Sequence, residues 1–228
     1  MADVPAAHST ARIIDLTLPV RHGMRGVQIE PLNRAAIHGY NTTTLHLYSH
    51  SGTHMDAPLH FLDGDGTIDQ IPLHRCCGPA VVADLSAIAP RELITVAHLG
   101  SAADKTRPHD ALLLRTDWYR HVDDPATYRD GLPRISRELA QWCIDREVRL
   151  IGVEPPSVAD VNSLPELTEI HQLILSHDII IVEGLANLDQ LNDDRVLFCA
   201  APLKIEHGDG SPCRAFAIEG LSIERFHP

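Results

Sequence analysis

The chain has 228 residues, 44% of them hydrophobic and 22% charged, which suits a globular protein large enough to bury one core. Nineteen basic against thirty-one acidic residues give a formal charge of −12, a field that repels phosphate backbones and argues against nucleic acid as a partner. No apolar run approaches the roughly 18 residues that a membrane span needs.

Met1–Ala11 lacks a basic segment followed by an apolar one, so no signal peptide is read there and the cytoplasm is the expected location. Residues 1–11 are read as a flexible tail, and residues 12–228 as one domain without repeats or low-complexity linkers. The alternating, β-branched run Ile13–Leu18 predicts an opening strand, closed by Pro19, and Thr42–Tyr48 predicts a second. Ala80–Leu85 and Ala111–Leu114 are short apolar runs of the kind that form buried strands. Ser136 caps a predicted helix that runs to about Glu147, with Leu139, Ala140, Cys143 and Ile144 on one face. Leu150–Val153 predicts a strand, and Pro165 to Ser176 a helix with Ile170, Leu173 and Ile174 inward. Three further strands are predicted at Ile179–Val182, Val196–Cys199 and Ala215–Ile218. Strands on both sides of a helical middle predict a mixed α/β layer structure rather than a regular βαβ series.

The five cysteines, Cys76, Cys77, Cys143, Cys199 and Cys213, are odd in number and have no C-x-x-C spacing. That pattern predicts buried free thiols rather than a disulfide framework or a thiolate zinc site. Fifteen histidines are an unusual number, and their grouping is more informative than their count.

His50, His54, Asp56 and His60 share one parity after the second strand, so an extended chain would turn them to one side. Gly52 lets the backbone bend and approach an ion, while Pro58 keeps Ala57 extended and stiffens the stretch before His60. An isolated His-x₃-His would most often be a pair of polar loop residues. Four such groups interleaved with glycine and proline reverse that reading, and the two imidazoles and one carboxylate within seven residues form a nitrogen and oxygen donor set suited to Zn²⁺, and also to Mn²⁺ or Fe²⁺. No cysteine stands near, which favours a catalytic site over a closed structural one. Asp63–Asp69 imitates a calcium loop but has Ile68 and His74 where glycine and glutamate are needed. G-x-S-x-G, H-E-x-x-H, P-loop and dinucleotide fingerprints are absent from the sequence.

The segment His50-x-Gly-Thr-His54-x-Asp56-x-Pro-x-His60 resembles the signature of the cyclase family of metal-dependent hydrolases, which includes bacterial arylformamidases and isatin hydrolases. The resemblance extends to Asp15-Leu-Thr17, to Leu113–Trp118, to Gly152–Val158, and to His171 with Glu183 twelve residues later. It implies a swivelling β/α/β fold, α/β in class with a mixed sheet, and a homodimer or homotetramer. It also implies one or two zinc ions, with manganese as the alternative, held by His50, His54, Asp56, His171 and Glu183. His60 would act as proton donor and acceptor while metal-activated water attacks a small-molecule amide such as N-formylkynurenine. Ring opening of an isatin or lactone, and metal-dependent elimination, are the competing reactions. Solvent ¹⁸O would enter the product of hydrolysis and not that of elimination. A non-catalytic metal-binding module is the competing class, against which His60 speaks. Two positions depart from the resemblance: Val27 stands where arylformamidases carry a substrate-stacking tryptophan, and Glu154 where an aspartate is common. Trp118 and Trp142 are read as structural.

Overall fold

In a computed structural model that describes residues 11–64 and 66–221, the first and last strands pair, with Arg12 opposite Glu219. Twelve strands occur along the described chain: β1 (Arg12–Asp15), β2 (Val27–Asn33), β3 (Thr42–Leu47), β4 (His54–Asp56), β5 (Cys77–Asp84), β6 (Leu93–Ile94), β7 (Ala111–Arg115), β8 (Arg134–Ile135), β9 (Leu150–Val153), β10 (Ile180–Glu183), β11 (Arg195–Pro202) and β12 (Gly210–Glu219). The main sheet runs β1-β12-β11-β5-β7-β9-β10-β4, and β4 also bonds to β12, so seven strands close on themselves and β1 lies outside the ring. The β5–β7, β7–β9 and β9–β10 pairs are parallel, and the remaining pairs of this sheet are antiparallel. This is the mixed α/β architecture that the sequence predicts, with closure of the sheet as an added feature.

The period of two along each strand sorts the core into two clusters. Val81, Leu112, Leu114, Ile151 and Ile181 pack against the helices Arg137–Asp145 and Leu164–Leu175, whose Leu139, Cys143, Ile170 and Ile174 meet them. Ala80, Leu113, Leu150, Val182, Met55 and Phe198 form the second cluster, on the opposite face of the sheet. Ser136 accepts a hydrogen bond from the Leu139 amide and starts its helix as predicted, while Ser163 does the same for the second helix, one residue earlier than the predicted proline start. Leu173 is only half-buried. Trp118 is buried and donates from Nε1 to the Tyr128 carbonyl at 2.8 Å, the structural role read for it.

One expectation is corrected. Cys77 and Cys199 face each other across the β5–β11 ladder with their Cα atoms 4.2 Å apart and form a disulfide. Cys76, Cys143 and Cys213 are buried free thiols, as expected. The bridge joins residues 122 positions apart, so it depends on strand pairing that cysteine spacing does not carry. No helix among the described residues is long and apolar enough to cross a membrane. Residues 1–10 of the expected tail, with Asp65 and residues 222–228, lie outside the described residues.

Candidate metal centre

The antiparallel β4–β10 pair sets Glu183 directly opposite His54, and residues opposite each other in a ladder project from the same face. His54 Nε2 thus lies 3.3 Å from Glu183 Oε2 and 3.6 Å from Asp56 Oδ1. His171 comes from the helix Leu164–Leu175, with Nε2 3.4 Å from Glu183 Oε1 and 3.8 Å from Asp56 Oδ2. His50 occupies the turn after β3, where Gly52 adopts φ +60°, and its Nδ1 lies 2.8 Å from Asp56 Oδ1. His54, Asp56, His171 and Glu183 are all buried.

Each outward ring nitrogen is engaged. His54 Nδ1 donates to the Gly52 carbonyl at 2.9 Å and His171 Nδ1 to the Leu167 carbonyl at 2.7 Å. His50 Nε2 faces Asp209 Oδ2 at 3.1 Å. Those bonds aim the remaining nitrogens at the two carboxylates, where each could give its lone pair to an ion in place of a proton. Asp56 Oδ2 is buried without a hydrogen-bond partner among the described residues. Three trios each offer atoms within 4.8 Å of one another: His50, His54 and Asp56; Asp56, His171 and Glu183; and His50, His60 and Asp209, so that Asp56 belongs to the two buried ones. Two ligands that each sit about 2.1 Å from one ion lie about 3 to 3.5 Å apart, near the spacings observed here. The donor set and the orphaned oxygen therefore fit a divalent cation, singly or as a pair sharing Asp56.

The electrostatics agree. Burial works against protonation of His50, His54 and His171, but the facing carboxylates outweigh it and hold all three above the usual imidazole range. Burial alone would raise the Glu183 carboxyl, yet His171 and His54 keep it far below its usual range. A cation would compete with those protons for the same lone pairs.

His60 lies on the 3-10 turn Pro58–His60, which Ala57 enters in the extended conformation predicted for a residue before proline. Its ring stacks on His50 with centroids 3.7 Å apart and meets Phe61 edge-on. Burial lowers its pKa. The structure thus gathers the four motif residues, but through a turn, a three-residue strand and a 3-10 turn rather than one extended run. Asp209 escaped the sequence reading, because Gly208-Asp209-Gly210 has the composition of an ordinary turn.

His50 and His54 also line a cavity of about 550 Å³, together with Met24, Tyr128 and Pro156. Val27 is buried, pairs with Leu47 in the β2–β3 ribbon, and is not among the residues lining this cavity. Close by, Tyr128 donates its hydroxyl to the Glu154 carbonyl at 2.8 Å. The Glu154 carboxylate is fully buried: Oε2 accepts from the Thr116 amide and hydroxyl and from the Trp118 amide, while Oε1 has no partner among the described residues. Burial outweighs these bonds and pushes its pKa up to about 7 from 4.5. A carboxyl raised in the folded state contributes its full stability below the unfolded value and loses it as pH rises through the folded one. Glu154→Gln keeps an acceptor for the same donors without the charge. Wild type is expected to lose on the order of 3 kcal/mol relative to that variant between about pH 5 and about pH 8, measured by urea unfolding.

A buried cluster of three imidazoles and two carboxylates, opening on a cavity beside a fourth imidazole, defines a metal centre within reach of a small molecule. The sequence profile of the family described as "Putative cyclase" matches residues 14–160. A kynurenine formamidase from Bordetella petrii is 32% identical over 179 residues, 78% of this chain and 81% of that protein. Another, from Bacillus cytotoxicus, is 36% identical over 167 residues, 73% and 74% of the two chains. Isatin hydrolase A from Ralstonia solanacearum superposes with a TM-score of 0.81 at 29% identity, covering 91% of this chain and 92% of that one. The chain belongs to the cyclase family, and it is an enzyme of that family's metal-dependent hydrolase kind.

Proposed function

We propose that this enzyme hydrolyses the C–N bond of an arylformamide-like amide, N-formylkynurenine to kynurenine and formate being the leading case. Its ions would be one or two zinc, or manganese, held by His50, His54, Asp56, His171 and Glu183. The observation that carries this reading is Asp56 Oδ2, a buried carboxylate oxygen without a hydrogen-bond partner among the described residues, set among imidazole nitrogens whose outer atoms are already bonded. When bound, the ion supplies Lewis acidity to the substrate carbonyl and lowers the pKa of a coordinated water towards roughly 7.

The remaining steps belong to the protein. Gly52 and Leu167 carbonyls hold the protons of His54 and His171 on Nδ1, and Asp209 holds that of His50 on Nε2. His60, fixed by its stacking on His50 and contact with Phe61, takes the proton lost by the attacking water and returns it to the leaving nitrogen. Tyr128 is engaged with the Glu154 carbonyl and leaves that task to His60. The kynurenine formamidases among the relatives support the formamide, and the likeness to isatin hydrolase A over most of the chain supports ring opening of a cyclic amide as the second reading. A homodimer or homotetramer in the cytoplasm, with no nucleic-acid or membrane partner, completes the proposal.

The test is turnover of N-formylkynurenine and of isatin by protein loaded with zinc or with manganese, before and after chelation. Chelator-sensitive hydrolysis of the formamide, with one or two ions per chain, is the expected result. Hydrolysis of isatin alone would move the assignment to the second reading. Bound ion without turnover of either would overturn both.

A further inference from the structure

We infer that the substrate carries a carboxylate, held by Arg25 and Arg129 in the cavity that His50 and His54 also line. The inference rests on the hydrolase reading and adds to it the residues that would hold a substrate carboxylate, a group that N-formylkynurenine carries. Three arginines line the cavity, Arg21, Arg25 and Arg129, against a single acid, Asp123. Arg21 consumes that acid, its Nη1 lying 2.8 Å from Asp123 Oδ1. Arg25 and Arg129 have no carboxylate within ion-pair distance among the described residues. Arg25 sits with its guanidinium carbon 5.7 Å from the Tyr48 ring centroid, a contact that orients the cation without neutralising it.

Two guanidinia without an ion-pair contact among the described residues, in one cavity, are a local reversal of sign in a chain of net charge −12. Arg129 is half-buried, and its pKa is pulled down by that burial and then by the positive charge of Arg25, which together outweigh the opposing charge of Asp130. Like charges kept close enough to repel are relieved by an anion between them, and the planar guanidinium fork matches a carboxylate best. Met24, Leu18 and Pro156 give the same cavity an apolar wall for the hydrocarbon part of such a substrate. The volume, about 550 Å³, is within the range of small-molecule sites. A neutral arylformamide would leave both cations unmatched.

The test compares benzoate with benzamide as ligands of the zinc-loaded full chain by calorimetry. It also takes the kcat/KM ratio of 2-formamidobenzoate to formanilide. Wild type is expected to bind benzoate at least tenfold more tightly than benzamide and to prefer the carboxylated formamide by a similar factor. Both preferences should fall at least tenfold in R25Q/R129Q and be largely kept in R25K/R129K. If the ion alone holds the carboxylate, the glutamine variant will bind benzoate as wild type does, and the inference falls. It falls equally if wild type does not discriminate. Arginine-dependent benzoate binding without turnover of either formamide would leave the subsite standing and remove the formamidase reading, whereas turnover without charge preference would do the reverse.

Discussion

Asp56→Asn is expected to strip the metal from the enzyme and lower kcat/KM on the order of a thousandfold or more, while His60→Ala keeps the metal and loses rate alone. Asp56 belongs to two of the three trios, the two that hold the buried ligands, and its Oδ2 has no hydrogen-bond partner among the described residues, so this one carboxylate serves any ion bound between His54, His171 and Glu183. An asparagine has the size and shape of the aspartate and can still hydrogen-bond His50 Nδ1, so the fold has no reason to fail; it loses the charge and the second ligand oxygen. Removing several kcal/mol of charge stabilisation at the reacting carbonyl accounts for the rate. His60, by contrast, stacks its ring on His50 and faces Asp209 Oδ2 at 3.8 Å, outside the two trios that Asp56 joins. Its loss should cost about 10² to 10⁴ in kcat, the range of a positioned acid–base group. Metal analysis of both variants, beside their melting curves, checks the pair. Full metal in Asp56→Asn would show that the cluster does not depend on that carboxylate, and loss of metal in His60→Ala would make His60 a ligand.

The first half of this site was legible because His50, His54, Asp56 and His60 fall within eleven consecutive residues, where spacing and residue type can be read directly. His171 and Glu183 were legible only through family resemblance. Locally, His171 is one polar residue beside Ile170 and Ile174 on an amphipathic helix, and Glu183 is a charge at the end of an apolar strand. What joins them to the motif is the register of β4 on β10, a pairing between segments about 130 positions apart. The same limit hid the Cys77–Cys199 bridge and the closure of the sheet. Closure hangs on β4, only three residues long, bonding to both β10 and β12. Strand β2 went unread because Pro31 interrupts its alternation and most of its side chains are exposed, so no buried face marks it. The long apolar strands and the Ser136 cap are legible locally, since each is fixed by its own residues.

Gly184→Ala is expected to destabilise the fold on the order of 3 kcal/mol and to weaken metal binding about 10- to 100-fold, although residue 184 is not a ligand. Gly184 follows Glu183 with φ +67°, a region that costs an alanine roughly 1–2 kcal/mol. A Cβ there would stand 2.5 Å from the Gly52 carbonyl oxygen, so one of the two backbones must move. That oxygen accepts the hydrogen bond from His54 Nδ1 that aims Nε2 at the cluster. Gly184 itself is held by its amide to the Pro155 carbonyl and by the Thr53 hydroxyl on its own carbonyl. Strain therefore passes to Glu183 on one side or to His54 on the other, and both are ligands. Gly39→Ala separates the two components, because Gly39 has φ +79° with nothing within 4 Å of the added carbon. It should pay only the backbone cost and leave metal binding unchanged. Thermal melts would register Gly184→Ala as a drop of about 6 to 12 °C for a chain of this size, and competition with a chelator would register the loss of affinity. Equal effects of the two substitutions on metal binding would show that the Gly52–Gly184 contact does not set the geometry of the site.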